Sequence, residues 1–469
     1  MPSLLRIGVF AAVLPWLLWH GDLRLTILGL LGVLFLSRTL RLSEPPWLQA
    51  RDVRQDLARP PPAPYDPAPL LNREAGWLLG LAEGRPCYLP GPLPHLQVVG
   101  GSGCGKSAAL GVWAAQALAM GEGVLYFDPK DDLWAASALA DAAARMGCRF
   151  QMLDLRPQAP AQFNLIADCD RHSLYDLLIH GLDLLESGSD ADFYRLADRQ
   201  GARLLADAWR PGDTLATLAA RSLASLRRKA PALCLRLQEI AEIAAAQGRQ
   251  GPRIAELLQP GSACYVLGST RLDTVRRLQR MLLLRLIQCA ETRARPVAQP
   301  CCVILDEFRY HLCRGSLDAL STIRDRGIHL ILAHQSLGDL AAGPADLDAR
   351  AVAAAVHENC ALKLVFRLQD PDTAEWMARK SGQVTQVRRH GQAWPGSMPY
   401  LDKVSEATGP WINASTLLHL APRMAVLYGH GQARELAQSA WRCVRRPLSA
   451  EAVDDSRLQP DFAHLELRP

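Results

Sequence analysis

No two of the twelve cysteines stand at the C-x-x-C spacing, which excludes the common zinc ribbons and dithiol redox centres. Scattered from Cys87 to Cys443, they read as buried thiols of a reducing cytosol. Lysine is nearly absent. Six of the 52 basic residues are lysine and the rest are arginine spread along the whole chain, so genomic base composition explains much of the excess. The net charge of +5 and pI of 8.6 permit a nucleic-acid or anionic-membrane partner without demanding one. No apolar run reaches the ~20 residues of an ordinary membrane span. What is abundant is core material: 49% of the 469 residues are hydrophobic. That excludes a wholly disordered chain and suffices for two compact domains and an appendage.

The two apolar runs that come nearest to spanning a bilayer lie at the start. Leu4 to Trp19 is interrupted only by Arg6, and Leu25 to Ser37 follows after His20, Gly21, Asp22 and Arg24. A helix of sixteen or so residues rises about 25 Å, slightly under a ~30 Å hydrocarbon core. Snorkelling of Arg6, Arg24 and Arg38, or local thinning, closes that gap. Arg38, Arg41, Arg51 and Arg54 follow the second run and favour a cytoplasmic body. The expectation is a transmembrane hairpin over 1–42 with both ends inside. A cleaved signal peptide fits less well, because no small-x-small site follows Trp19. A helix pair buried in protein stays open as the alternative. Eight prolines between Pro45 and Pro69 then predict an extended linker over 43–80.

Leu96-Gln97-Val98-Val99 is a short apolar run that feeds into Gly100-Gly101-Ser102-Gly103-Cys104-Gly105-Lys106-Ser107. This octet satisfies every required position of the Walker A pattern. Its glycines let backbone N–H groups cradle phosphate, Lys106 reaches the β- and γ-phosphates, and the Ser107 hydroxyl is placed for Mg²⁺. Some two hundred residues on, Cys301-Cys302-Val303-Ile304-Leu305 reads as a buried strand ending in Asp306 and Glu307. Asp306 is the expected Mg²⁺ ligand and Glu307 the group that polarises water. ATP and Mg²⁺ are the implied substrate and cofactor. Further strands are expected at 124–127, 150–153, 263–267 and 328–333, with helical segments between them. The implied class is α/β with a parallel sheet covered on both faces.

Between 168 and 255 the strand signal vanishes. Leu174, Leu177, Leu178 and Leu182 recur at helical spacing, predicting an all-α domain inserted between the two parts of the nucleotide-binding domain, 81–167 and 256–445. Its far end is basic, from Arg221 to Arg253, which fits a solvated helix face or a DNA contact. A tail over 446–469 closes the chain.

Taken in order, these features resemble the type IV coupling proteins of conjugation. The two spans, Walker A, the Asp128-Pro129-Lys130 turn, the helical insertion, Asp306-Glu307 and Gln335-Ser336 all carry the likeness. So do Asn359-Cys360 and the run Asp370-Pro371-Asp372-Thr373-Ala374-Glu375. The likeness extends from about residue 90 to 440. It implies a RecA-like motor that forms a homo-hexamer on the inner membrane, receives relaxase-bound single-stranded DNA and passes it to the type IV secretion channel. It also implies a γ-phosphate sensor at Gln335. Ile323-Arg324-Asp325-Arg326-Gly327 is similar to the segment that supplies a trans-acting arginine in related septal DNA translocases, with Arg324 first in line and Arg326 second. An arginine at a helix end beside the capping Gly327 is the plain alternative.

Two features depart from that family. The loop between the spans is only a few residues around His20 to Arg24, where the family has a longer extracytoplasmic segment, and no long acidic tail follows Trp441. Two other functions fit the same motifs: a translocase of duplex DNA, and a membrane receptor for a protein substrate that uses ATP for ring assembly.

Overall fold

The computed structural model describes residues 62–186, 192–294, 300–343, 347–390, 403–431 and 433–438. The expected membrane hairpin, most of the linker and the tail lie outside these residues. Among the described residues no helix is long and apolar enough to cross a membrane.

Strands β1 (Trp77–Ala82) and β2 (Arg85–Leu89) form an antiparallel hairpin. Then come β3 (Leu96–Val99), helix α1 (Lys106–Ala119), β4 (Gly123–Asp128), α2 (Leu133–Arg145) and β5 (Arg149–Asp154). Four helices follow without a strand: α3 (Arg171–Gly181), α4 (Asp192–Ala208), α5 (Leu215–Leu226) and α6 (Pro231–Ala241). The alternation resumes with β6 (Ser262–Leu267), α7 (Asp273–Glu291), β7 (Cys301–Leu305), α8 (Arg314–Thr322) and β8 (Ile328–His334). It runs on through α9 (Leu337–Ala341), α10 (Ala349–Asn359), β9 (Leu362–Phe366) and α11 (Pro371–Lys380). β10 (Gln383–His390) and β11 (Lys403–Pro410) pair as a two-stranded ribbon of their own. The last elements are α12 (Ala414–His419), β12 (Met424–Tyr428) and β13 (Arg434–Ala437).

Eleven strands make one sheet in the order β2-β1-β13-β12-β9-β3-β8-β7-β4-β6-β5. From β9 to β5 all neighbours are parallel. The reason is visible in the residues. β3, β4, β7 and β8 are buried at every position, as a strand covered on both faces must be. Successive side chains point to opposite faces: Cys302 and Ile304 join Leu110, Trp113 and Tyr126 in one cluster, while Val303 and Leu305 join Phe127 and Leu330 in the other.

The second cluster is continuous with the helices between β5 and β6. Leu174, Leu177, Leu178 and Leu182 are fully buried there beside Leu205, Leu218 and Leu237, so the i, i+3, i+4, i+8 spacing marks a real inner face. Thr214 and Thr217 form a capping box that starts α5. One boundary and one part of the sheet differ from the sequence-based expectation. β1 begins at Trp77, inside the interval assigned to the linker, because Trp77, Leu78 and Leu79 are buried sheet residues. The antiparallel end built from β1, β2, β12 and β13 has no counterpart among the strands expected from hydrophobic pattern.

Candidate nucleotide site

Four neighbouring parallel strands, β3, β8, β7 and β4, release their chains at one edge of the sheet, and the expected site residues other than Arg324 leave from three of those ends, β3, β7 and β8. After β3 comes the glycine loop, whose final Gly105 has φ 116° and serves as the N-cap of α1. A side chain at Gly105 would be strained, so the octet demands glycine there. At Gly100 a Cβ would stand 2.6 Å from Phe366 Cβ, which explains why the loop can pass so close to β9. Cys104 is buried, Ser102 and Gly103 are exposed, and Ser107 is half-buried at the helix start. Lys106 is 6% exposed; its Nζ arches over the loop to donate to the carbonyls of Gly100 at 2.6 Å and Gly101 at 3.0 Å. From the far side, Arg423 N donates to Cys104 O at 3.1 Å.

β7 delivers Asp306 and Glu307, each 2% exposed. Glu307 adopts the left-handed conformation, φ 47° and ψ 59°, a cost of order 1–3 kcal/mol for a non-glycine residue. Its carboxylate is held from two sides. Gln335, at the end of β8, donates through Nε2 at 3.0 Å and 3.3 Å, and Lys130, beyond β4, forms an ion pair with Oε1. The turn carrying Lys130 is built by Asp128, which accepts from the N–H groups of Lys130 at 2.7 Å and Asp132 at 2.6 Å. Tyr265 donates its hydroxyl to the same carboxylate at 2.5 Å.

Three carboxylates thus share a buried space. Burial, and then the charges of Asp128 and Glu307, push the Asp306 carboxyl up to about 7 against the pull of Lys130. Burial also raises Asp128. Burial acts to lower the Lys130 ammonium, but Glu307, Asp306 and Asp128 outweigh it and the net shift is upward. Such a donor set fits Mg²⁺, a hard cation that takes oxygen ligands, usually one or two carboxylates completed by phosphate oxygens and water. A carboxyl kept partly protonated by its neighbours gains when a divalent charge arrives. Asp306 and the Ser107 hydroxyl are the groups suited to it.

Two histidines fix the backbone around the acids. His334 is held down to about 4 by burial and is therefore neutral. Its Nδ1–H donates to Ser336 O at 2.9 Å and its Nε2 accepts from Gln97 Nε2 at 2.9 Å, which fixes the turn that presents Gln335. His311, also lowered to about 4 by burial, donates from Nε2 to Asp306 O at 3.2 Å.

Arg324 is not brought to this site. It lies in the 3-10 turn Ile323–Arg326 ahead of β8, exposed, and close enough to His95 ahead of β3 to lower that imidazole, although burial contributes more. That is the opposite edge of the parallel sheet. Arg326 is engaged locally, donating to Arg293 O at 2.9 Å while Arg293 donates to Arg326 O at 3.1 Å. Gly327, φ 72°, closes the turn.

Lys130, Asp128, Tyr265, Asp339 and Arg309 were not among the expected site residues. Lysine scarcity is the signal that could have found Lys130: in an arginine-rich chain with six lysines, the lysine at a strand end two residues past a buried aspartate stands out.

A glycine loop after β3, an acid pair after β7, and a strand interposed between them that ends at Gln335 together define a RecA-like P-loop nucleotide-binding domain, here with a helical insertion. Comparison with known proteins narrows this. The family described as the TraM recognition site of TraD and TraG matches residues 300–421. Mobilization protein A of Escherichia coli is 31% identical over 368 residues, spanning 74% of this chain and 66% of that protein. Unbound bacterial conjugative coupling protein TrwBdeltaN70 superimposes with a TM-score of 0.58 at 16% identity, covering 81% of this chain and 92% of the other. Plasmid coupling protein TrwB in complex with ADP and Mg2+ gives 0.55 at 15% identity, with the same coverages of 81% and 92%. The chain is thus similar in sequence and in fold to proteins of conjugation and mobilization, the coupling proteins among them. It spans just under two thirds of the length of its curated relative.

Proposed function

We propose that this chain is an inner-membrane, ring-forming ATPase that accepts relaxase-bound single-stranded DNA and pumps it into a type IV secretion channel. The observation that carries the reading is the convergence of Lys106, Asp306, Glu307 and Gln335 on one sheet edge, within a chain similar to coupling proteins. Lys106 leaves its loop carbonyls to pair with the β- and γ-phosphates of ATP. Mg²⁺, held by Ser107 and Asp306, would supply charge compensation on the phosphates. Glu307 accepts the proton of the attacking water, and Gln335 orients its carboxylate while lying within reach of the γ-phosphate position. Lys130 keeps Glu307 paired between turnovers.

Arg324 has no role within its own subunit's site. Its exposure on the opposite edge supports a trans role, in which Arg324 enters a neighbour's site in a homo-hexamer and offsets charge on the transferring phosphoryl group. Hydrolysis then requires assembly.

The test is ATP turnover by the full chain in lipid nanodiscs with single-stranded DNA, duplex DNA or neither. Stimulation by the single strand is expected. Stimulation by duplex alone would make the protein a duplex translocase, and indifference to both would leave a receptor that uses ATP for assembly.

A further inference from the structure

A cleft of about 360 Å³ opens at the seam between the helical insertion and the segment that follows Glu307. That volume suits a ligand of nucleotide dimensions, the ~300–1,000 Å³ range of small-molecule sites. Six arginines line it: Arg195 and Arg236 from the insertion, Arg276 and Arg280 from α7, and Arg309 and Arg314 from the stretch after β7. Asp183 and Asp273 are the carboxylates in its wall, and Arg195 also pairs with Asp192 at 3.3 Å. Asp183 is shared by Arg277 and Arg280, at 3.5 Å and 3.3 Å, and Asp273 by Arg276 and Arg277, at 2.9 Å and 2.7 Å. Arg280 Nε is buried without a hydrogen-bond partner. Burial, and then the charge of Arg277, holds the Arg236 guanidinium below its ordinary value.

The chemistry points to phosphate oxygens, because planar guanidinium forks bind phosphate in a bidentate manner and lose little freedom in doing so. A strand is favoured over an isolated phosphate group by what surrounds the cleft. Arg309 and Arg276 stack on Tyr310, 4.8 Å and 5.9 Å from its ring centre, and guanidinium planes of this kind also stack on unpaired bases. Phe193 and Tyr194, 76% and 69% exposed, precede Arg195 on the first turn of α4. Exposed aromatics beside a basic groove are the usual equipment for single strands.

The cleft is wired to the catalytic carboxylate. Arg309 Nη1 donates to Asp339 Oδ1 at 3.2 Å; Asp339 Oδ2 accepts from Gln335 N at 2.7 Å; Gln335 Nε2 donates to Glu307 Oε1 at 3.0 Å. A phosphate that draws Arg309 away leaves Asp339 with only its backbone partner and changes the position of Gln335. We propose that the cleft seats the phosphodiester backbone of the translocating single strand, and that Arg309, Asp339 and Gln335 report its occupancy to Glu307. The proposal rests on the DNA-pump reading above and adds a site and a coupling route to it.

The experiment uses the full chain in nanodiscs, a fluorescent oligo(dT), and inorganic tripolyphosphate as a competitor. Arg195→Ala/Arg276→Ala should weaken oligo(dT) binding by about tenfold and lower the slope of log K against log salt by about 1.4, at ~0.7 for each phosphate of a single strand left without its arginine. Its ATP turnover without DNA should stay at the wild-type level, which shows the variant is folded, and Arg195→Lys/Arg276→Lys should restore most of the affinity. Arg309→Ala should bind oligo(dT) within a few-fold of wild type yet lose stimulation of turnover. Unchanged affinity and salt slope in the double alanine variant would overturn the site. Retained stimulation in Arg309→Ala would overturn the coupling. Displacement of oligo(dT) by tripolyphosphate at equal phosphate concentration would assign the cleft to free polyphosphate and overturn the strand. Should wild type itself show no response to DNA, the pump reading fails instead, and the two failures are thereby separate.

Discussion

Replacing Lys130 with Met keeps the side-chain stem and removes the charge that pairs with Glu307. Glu307 is 2% exposed and Lys130 is 40% exposed, so the pair is half-wet. Deleting one partner of a fully buried pair costs about 3–5 kcal/mol, because the other charge is left uncompensated. Here Gln335 still donates two hydrogen bonds to the carboxylate and water reaches the Lys130 side, which reduces the expected loss to about 2 kcal/mol. Urea unfolding of the purified chain measures it. The diagnostic comparison is a double-mutant cycle: in a Glu307→Gln background the paired carboxylate is gone and only the attraction of Asp306 and Asp128 remains, so Lys130→Met should cost clearly less, about 1 kcal/mol or under. Equal losses in both backgrounds would show that Lys130 contributes through its stem alone and that the ion pair is not what holds Glu307.

Glu122 offers a pH-dependent test. Burial raises its carboxyl to about 8, and His329, 3.3 Å away, is lowered to about 3, again chiefly by burial. Both are therefore neutral at pH 7. Because the folded state keeps a proton that the unfolded chain releases from about pH 4.5 upward, stability falls as pH rises to about 8 and is level beyond. Glu122→Gln should abolish that fall, so its advantage over wild type should be about 2–3 kcal/mol larger at pH 9 than at pH 6, from two pH units at ~1.4 kcal/mol each. A pH-independent difference in urea midpoints would refute it. Subunit mixing tests Arg324. Lys106→Ala and Arg324→Ala chains should each be inactive, and the mixture should regain part of the turnover at interfaces that join an intact loop to an intact arginine; no rescue would place the complete site within one subunit.

Much of the site was legible because its parts are local. The octet from Gly100 to Ser107 is contiguous, and Asp306-Glu307 ends a run of five buried residues, so motif and hydrophobic pattern suffice. Gln335 came only from resemblance, and its amide lies 3.0 Å from Glu307 Oε1, a contact that residue spacing does not show. Lys130, Arg309 and Asp339 were hidden because they converge from three different strand ends, and convergence is a property of strand order, which residue spacing does not encode. The same holds for the antiparallel end of the sheet. Met424-Ala425-Val426-Leu427-Tyr428 is an apolar run, but its place beside β9 depends on pairing with residues sixty positions earlier, Ala425 with Phe366. The insertion was readable as helical, whereas its hydrophobic continuity with the sheet face was not, since periodicity shows which side is apolar and not what covers it.

Plasmid transfer from a donor carrying Lys106→Ala tests the central claim most directly, with the protein's level in the membrane fraction matched to wild type. The Lys106 ammonium donates to its own loop carbonyls, so the substitution should leave the sheet and the expected anchor intact while removing the ammonium that ATP requires. Hydrolysis-driven export predicts transfer below detection. Transfer at the wild-type frequency would contradict it.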